Sequence, residues 1–270
     1  AVADTDVTPF DTTSSSSRTT FALGTAVERA CGDLLAQLAG IADRYPEPAA
    51  GQAPGQPGAD ADAALSWKRL LAAAGIDRVS GHGSYASPPG AGKLDPDTSQ
   101  GSASDHWHQG GVGVEVEVDT ETGKVRVLRA HGASYAGRLV DPARAARQTT
   151  GGMVFGLGQA LMEHLGYDAG QPVATTLSDY QLPSIRDVPP RIGATVLRSP
   201  DPDAEPHGLG ENTVPPMAPA LANAIFDATG ARIRDLPVTP EKVLRALREQ
   251  APGEQAPGEQ APGEHAGEVS

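Results

Sequence analysis

Three short stretches hold residues able to do chemistry. In "HGLGENTVPP", residues 207 to 216, Glu211 follows Gly208 and Gly210 and precedes Pro215 and Pro216. Glycines let a backbone pass close to something bulky, and prolines stiffen the exit. A carboxylate on such a turn is held in place, as a general base must be. The plainer alternative is a loop acid near a helix start, where the helix dipole favours negative charge. "FDTTSSSSRTTF", residues 10 to 21, sets a row of hydroxyls and Arg18 just ahead of a helix. Hydroxyls, free N–H groups and a guanidinium together suit phosphate or pyrophosphate; a Ser-rich terminus with one N-cap is the alternative. In "SDHWHQGG", His106 and His108 lie two apart beside Asp105. On a strand they share a face and can join His82 at a metal, but solvated loop histidines account for the pattern more simply.

The elements that must position these residues follow from periodicity. "AVERACGDLLAQLAGIADRY" carries Val27, Ala30, Cys31, Leu34, Leu35, Leu38, Ile41 and Ala42 at helical spacing, which predicts an amphipathic helix with Cys31 buried as a small hydrophobe. Residues 46 to 62 are a Pro/Gly/Ala loop, "ALSWKRLLAAAG" is a short helix, and residues 76 to 105 read as long loops. "VGVEVEVDTETGKVRVLRAH" alternates Val112, Val114, Val116 and Val118 through a "DTETG" turn to Val125 and Val127, a hairpin in which Glu115 and Glu117 can pair Arg126 or Arg129.

"DPARAARQTTGGMVFGLGQALMEHLGY" has helical spacing but contains Gly151, Gly152, Gly156 and Gly158. At about 1 kcal/mol each relative to alanine, these cost roughly 3–4 kcal/mol. Either another backbone packs very close, or a glycine turn aims N–H groups at a ligand. A dinucleotide fingerprint fails, because Leu161 stands where the third glycine is needed. "PPMAPALANAIFDATG" predicts a buried helix stopped by Gly230, and "TPEKVLRALRE" a helix capped by Thr239 with Pro240 at its first position. Imperfect "APGEQ" copies from about residue 250 form an acidic tail with nothing larger than Ala before Val269 to bury.

Composition narrows the function classes. The net charge of −13 disfavours nucleic acid and anionic membrane as partners. No apolar run is long enough to span a bilayer. The single cysteine, Cys31, excludes an internal disulfide and an all-cysteine iron–sulfur or zinc site built from this chain. The start, "AVADTDVTPF", lacks a charged region followed by an apolar one and reads like the middle of a longer protein.

Taken together, these segments resemble the C-terminal part of the molybdopterin-binding large subunit of the xanthine dehydrogenase/aldehyde oxidase family. "HGLGEN", "APALANAIFDATGARIRDLPVTPEKVLRAL", "DTDVTPFD", "SRTTFALGTAV", "VEVEVDTETGKVRVLR", "GRLVDP", "RQTTGGMVFGLGQALMEHLGYD" and "LSDYQLPSIRDVP" carry the likeness, over roughly residues 4 to 247. Departures include four consecutive serines in the first loop, His207 where lysine or arginine is usual, and Thr149 and Thr150 before the glycine pair. The family's upstream half, with its glycine-rich loop and most of the substrate channel, has no counterpart in these residues.

The resemblance implies an α+β fold with mixed sheets and packed helices. It divides the chain into a pterin-contacting loop and helix (1–45), a Pro/Gly-rich region (46–105), a molybdopterin-binding region with the Gly-Glu turn (106–249) and a disordered tail (250–270). It implies oxidation of an aldehyde or N-heteroaromatic, purine-like substrate with oxygen from water, and Glu211 as general base. Ser15, Ser16, Ser17 and Arg18, then Gln148, Gly151, Gly152 and Gly210, would contact the cofactor, and no residue would ligate the metal directly. The cofactor would be molybdenum-molybdopterin in its cytosine dinucleotide form, with 2Fe-2S and FAD on partner subunits, an N-terminal half as a further partner, and a cytoplasmic location. Two alternatives stand beside it: a truncated, non-catalytic fragment or assembly partner, and a hydrolase using Glu211 with a histidine-bound metal.

Overall fold

The computed structural model describes residues 6, 8, 11, 14, 15, 17–45 and 60–250, with helix placement alone for 60–65. Ser16, residues 46–59 and the tail from 251 onward lie outside the described residues. The described residues form five α-helices: α1 Gly24–Ala42, α2 Asp60–Ala74, α3 Pro142–Leu161, α4 Met217–Thr229 and α5 Pro240–Gln250. Seven strands accompany them: β1 Lys93–Leu94, β2 Gly101–Ser102, β3 Gly110–Val118, β4 Val125–Tyr135, β5 Tyr167–Asp168, β6 Gln171–Pro172 and β7 Arg191–Leu197. The main sheet has the order β3-β4-β7, and β1–β2 and β5–β6 are two-residue antiparallel ladders. This is the α+β class expected.

Two compact units interleave along the sequence. The first comprises residues 1–109, 134–148 and 196–211; the second comprises 110–133, 149–195 and 212–270. In the first, a π-helical turn, Thr19–Leu23, runs straight into α1. The buried stripe of this helix is narrower than its apolar spacing predicts. Ala22 and Leu38 are buried, and Ala26, Ala30 and Leu34 lie between them at four-residue intervals. Gly81 and Gly83 run along that stripe: a side chain on Gly81 would meet Leu34 Cβ at 2.8 Å, and one on Gly83 would overlap Ala30 N. Val27, Leu35 and Cys31 are exposed instead. The expected burial of Cys31 is therefore corrected, because the segment covering α1 follows the i, i+4 row through Ala30 and leaves the neighbouring row open.

In the second unit the β3–β4 hairpin closes as its sequence dictates. Asp119 Oδ1 accepts the Glu121 and Thr122 N–H groups, at 2.9 and 3.1 Å. Arg126 pairs Glu117 at 2.9 Å and Arg129 pairs Glu115 at 2.7 Å. The valine face of the hairpin packs on a core of Met153, Leu157 and Ala160 from α3 with Met217 and Leu221 from α4. Each large side chain so buried contributes about 1.5–3 kcal/mol. A second cluster joins Ile225, Ile233, Val238 and Val243. Gly230 ends α4 with φ of 73°, and Thr239 Oγ1 accepts the Lys242 N–H at the start of α5.

The glycine-rich helix resolves in favour of close approach. α3 is helical throughout, so the Gly151 and Gly152 N–H groups lie inside the helix. A Cβ on Gly152 would sit 2.5 Å from Thr213 Oγ1, and one on Gly156 would sit 2.6 Å from Val214 O and 2.7 Å from Met217 Cβ. Gly151 meets nothing within 4 Å. The two sites predict opposite effects: Gly151→Ala raises the urea midpoint by up to about 1 kcal/mol equivalent through helix propensity, while Gly156→Ala lowers it by about 1–3 kcal/mol through overpacking.

Candidate functional site

Within the first unit, the residues singled out by their chemistry meet around one turn. Ser17 takes a left-handed φ of 55° just before the π-helical turn, and Gly208 and Gly210 lie directly on it. A Cβ on Gly208 would be 2.7 Å from Ser17 Cβ and 2.9 Å from His108 Nε2, and one on Gly210 would collide with Ser17 Oγ. The glycine spacing in "HGLGE" is thus a proximity requirement, and the bulky neighbour is the serine loop itself. Two side chains grip the turn's backbone. His106 Nε2 accepts the Gly208 N–H at 3.1 Å, and Gln148 Nε2 donates to Gly210 O at 2.9 Å. Just upstream, the His207 N–H donates to Ala136 O at 2.8 Å.

Aromatic rings pack beside the turn. The His106 ring stacks on His207 at 4.4 Å and on His108 at 5.4 Å, and Phe21 meets its edge at 4.6 Å. Tyr135 packs edge-on to His207 at 5.2 Å. Burial, then the neighbouring His207 and His108, lower the His106 pKa against a small opposing pull from Asp105. Burial, then His108, lower that of His207, and Glu205 opposes. The Asp105 carboxylate is already taken: Tyr85 and Ser87 hydroxyls both donate to it at 2.8 Å. Burial and this bond push the Tyr85 phenol up to about 12.

A cavity of about 470 Å³ opens beside the turn. Ser17, Thr19 and Thr20 supply hydroxyls to its wall, and Arg138, Arg144 and Gln148 supply nitrogen donors. Both terminal nitrogens of Arg138 bind Glu28, at 2.7 and 3.2 Å. That bond holds the Glu28 carboxyl below its ordinary range. Arg138 Nε is buried without a hydrogen-bond partner among the described residues, and so is His207 Nδ1. A buried donor left unpaired costs about 1–3 kcal/mol. Residues bearing hydroxyl, amide and guanidinium groups on one cavity wall are of the kind that can hold an anionic group such as the phosphate of a pterin cofactor.

The site residues expected from sequence divide as follows. Ser17, Gln148 and Gly210 line the cavity. Ser15 is exposed and outside the lining, and Ser16 lies outside the described residues. Arg18 points to Asp11 at 3.7 Å and is absent from the lining. The arginines that line the cavity are Arg138 and Arg144. Gly151 is exposed and Gly152 is buried under Thr213, both in the second unit. Glu211 follows Gly210 on the same turn. Its side chain is exposed, is not part of the cavity wall, and has no hydrogen bond or ion pair among the described residues. His106 and His108 stack through their faces, while the His82 N–H is held by Asp33 Oδ2 at 2.8 Å. Among the described residues no group of three or more His, Cys, Asp or Glu side chains is arranged to hold a metal ion, so the hydrolase alternative lacks its ligand set. Sequence reasoning missed Arg138, Arg144 and Glu28, which have no local signature and are assembled by tertiary structure.

Comparison with known proteins agrees with this chemistry. A family described as "Molybdopterin cofactor-binding domain" matches residues 1–189, a span that stops before Glu211. The chain is 36% identical over 161 residues to the aldehyde oxidoreductase molybdenum-binding subunit PaoC of Escherichia coli strain K12, covering 58% of this chain and 21% of that one. It is 36% identical over 140 residues to a probable xanthine dehydrogenase subunit of Bacillus subtilis strain 168, covering 51% and 19%. The solved aldehyde oxidoreductase from Desulfovibrio gigas superposes with a TM-score of 0.67 at 27% identity, over 87% of this chain and 23% of that one. The chain therefore spans about a fifth of the length of the curated relatives it matches.

The lowered histidine pKa values give a signed stability prediction. The folded chain resists protonating His106 and His207, whose ordinary value is 6.5. Below about 6.5 the unfolded chain binds more protons, so stability is full above that pH and falls as pH drops toward the lowered folded values. Urea unfolding should show a midpoint falling between pH 7.5 and 5.5, with a shallower fall in His207→Gln.

Proposed function

Since the chain belongs to the molybdopterin cofactor-binding domain family, we propose that it is the C-terminal portion of a molybdenum-pterin hydroxylase acting on an aldehyde or an N-heteroaromatic substrate, with Glu211 as general base. The observation that supports this best is the Gly208–Gly210 turn pressed onto Ser17 beside a cavity whose buried Arg138 Nε lacks a partner. In this proposal Ser17, Thr19, Thr20, Arg138 and Gln148 bind the anionic, dinucleotide side of the cofactor, taken as the cytosine form. When bound, the molybdenum-pterin group supplies oxygen transfer and accepts the two electrons leaving the substrate.

The chain's own contribution is placement. His106 and Gln148 fix the two ends of the Gly-Leu-Gly segment, and Glu211 extends from it to take a proton from the attacking oxygen nucleophile. 2Fe-2S and FAD centres held by partner subunits would supply the outlet for those electrons, since Cys31 is the one cysteine of this chain. No helix among the described residues is long and apolar enough to cross a membrane.

A second reading draws on the exposure of Glu211: a fragment or assembly partner that binds without catalysing. The two separate in an enzyme reconstituted from this chain, an upstream half and the electron-transfer subunits. Glu211→Gln keeps the shape but cannot accept the proton, and should lower kcat by about 10²–10⁴ at unchanged molybdenum content. Arg138→Met should lower molybdenum and nucleotide content before it touches kcat per bound metal. Full turnover by Glu211→Gln removes the base assignment, and a reconstituted complex that retains no molybdenum favours the fragment.

A further inference from the structure

We propose that His106 is a positioning residue whose neutral ring acts as a proton-sensitive latch on the Gly208–Glu211 turn. The inference deepens the proposed function, on whose assignment of Glu211 its catalytic consequence rests, but the latch itself is independent of that assignment.

The geometry is specific about the ring's protonation state. Gly208 is buried and, among the described residues, its N–H donates to His106 Nε2 at 3.1 Å. A nitrogen that accepts carries no proton, so the proton of the neutral imidazole resides on Nδ1. An imidazolium has two donors and no acceptor. Protonation therefore replaces an attraction at Gly208 with two N–H groups facing one another, and leaves a buried amide unpaired. The far end of the segment is unaffected, because the Gln148 bond to Gly210 O does not titrate in this range. One end of the turn is thus permanently tied and the other is tied only while His106 is neutral.

The surroundings hold the ring neutral. Its faces and edge are occupied by His207, His108 and Phe21. The two neighbouring histidines would repel a charge on it. The adjacent carboxylate, Asp105, is committed to the Tyr85 and Ser87 hydroxyls, and Glu205 acts on His207 instead. The lowered pKa of His106 follows from the same burial and the same neighbours. Gly208 is also the position that cannot shift toward Ser17 to find another partner, since that space is closed.

The test reads the latch without relying on turnover. In the 270-residue chain, hydrogen exchange of the segment carrying Gly208 is followed from pH 7.5 to 5, corrected for intrinsic exchange, with the β3–β4 hairpin as internal reference. Wild type should lose protection by roughly five- to tenfold as pH falls through the His106 titration. His106→Gln, whose amide oxygen reaches the Nε2 position and does not titrate, should stay protected at both ends. His106→Phe, which keeps the ring but offers no acceptor, should exchange rapidly at every pH. An acid step in His106→Gln equal to that of wild type overturns the latch, as does wild-type protection in His106→Phe. Should His106→Phe not fold, the nitrogen-15 shift of His106 Nε2 in wild type decides: an unprotonated, acceptor-type signal at pH 7.5 supports the latch and a protonated one ends it. In the reconstituted enzyme, His106→Phe should lower kcat with KM held, and His106→Gln should recover part of it with a flatter acid limb. If Glu211→Gln turns over normally while the exchange step is present, the base assignment has failed and the latch stands.

Discussion

Everything around the candidate site depends on one steric contact, the approach of Gly208 and Gly210 to Ser17. About 190 residues of sequence separate Ser17 from the two glycines, yet a Cβ on Gly208 would lie 2.7 Å from Ser17 Cβ and one on Gly210 would collide with Ser17 Oγ. Overpacking of that kind costs about 1–3 kcal/mol even where neighbours give a little. With the contact made, the backbone of the turn is so placed that Gln148 reaches one carbonyl and His106 one amide. Neither hydrogen bond would survive a displacement of about 1 Å, since such bonds weaken steeply beyond about 3.2 Å. The contact comes first, and the polar grip follows from it.

The second unit uses the same device for a different end. The chain is 4% aromatic, with four Phe and two Trp, so its core cannot be filled by large rings. It is filled by bringing backbones close. Gly152 and Gly156 let α3 approach the 213–217 segment, and Met153, Leu157 and Met217, all essentially buried, occupy the space that remains. The propensity cost of these glycines is offset by burial that a bulkier helix would forfeit. Gly151, exposed and open, has no such return, and its identity is not explained by packing within this chain.

Much of the fold was legible because it is governed by local periodicity. The valine alternation of the hairpin, the Asp119 turn, the Glu–Arg cross-strand pairs, the Gly230 stop and the Thr239 cap all depend on residues within one or two turns of each other, and each is present. What periodicity misjudged was the burial of α1. Its apolar residues mark a broad stripe, but the covering segment contains Gly81 and Gly83 and tracks a single row, leaving Cys31 outside. The site was half legible. Gly210, Gln148 and Ser17 were named from motif likeness and do line the cavity. Arg138 and its Glu28 partner were not named, nor was the stacking of His106 on His207, because 110 residues separate Arg138 from Glu28 and 101 separate His106 from His207, and no local pattern encodes such a meeting.

In the proposed function the cavity binds an anion on a chain with a net charge of −13. The long-range field repels anions, so binding must come from short-range donors that the field cannot screen away. Glu28 accepts from both terminal nitrogens of Arg138 and so fixes the guanidinium plane at the cavity wall, while Nε stays buried without a partner among the described residues. A pinned donor loses little entropy on binding, whereas a free arginine gives up several rotatable bonds. In the proposed function such a wall would recognise an anion by the spacing of its oxygens more than by its charge. The same logic bears on the proposed base. An exposed carboxylate is well solvated, and water competes for every proton it would take. Glu211 can act as a base only under cover, and the described residues of this chain give it none, so in the proposed enzyme the roof over the reaction has to come from the part of the subunit that these residues do not include.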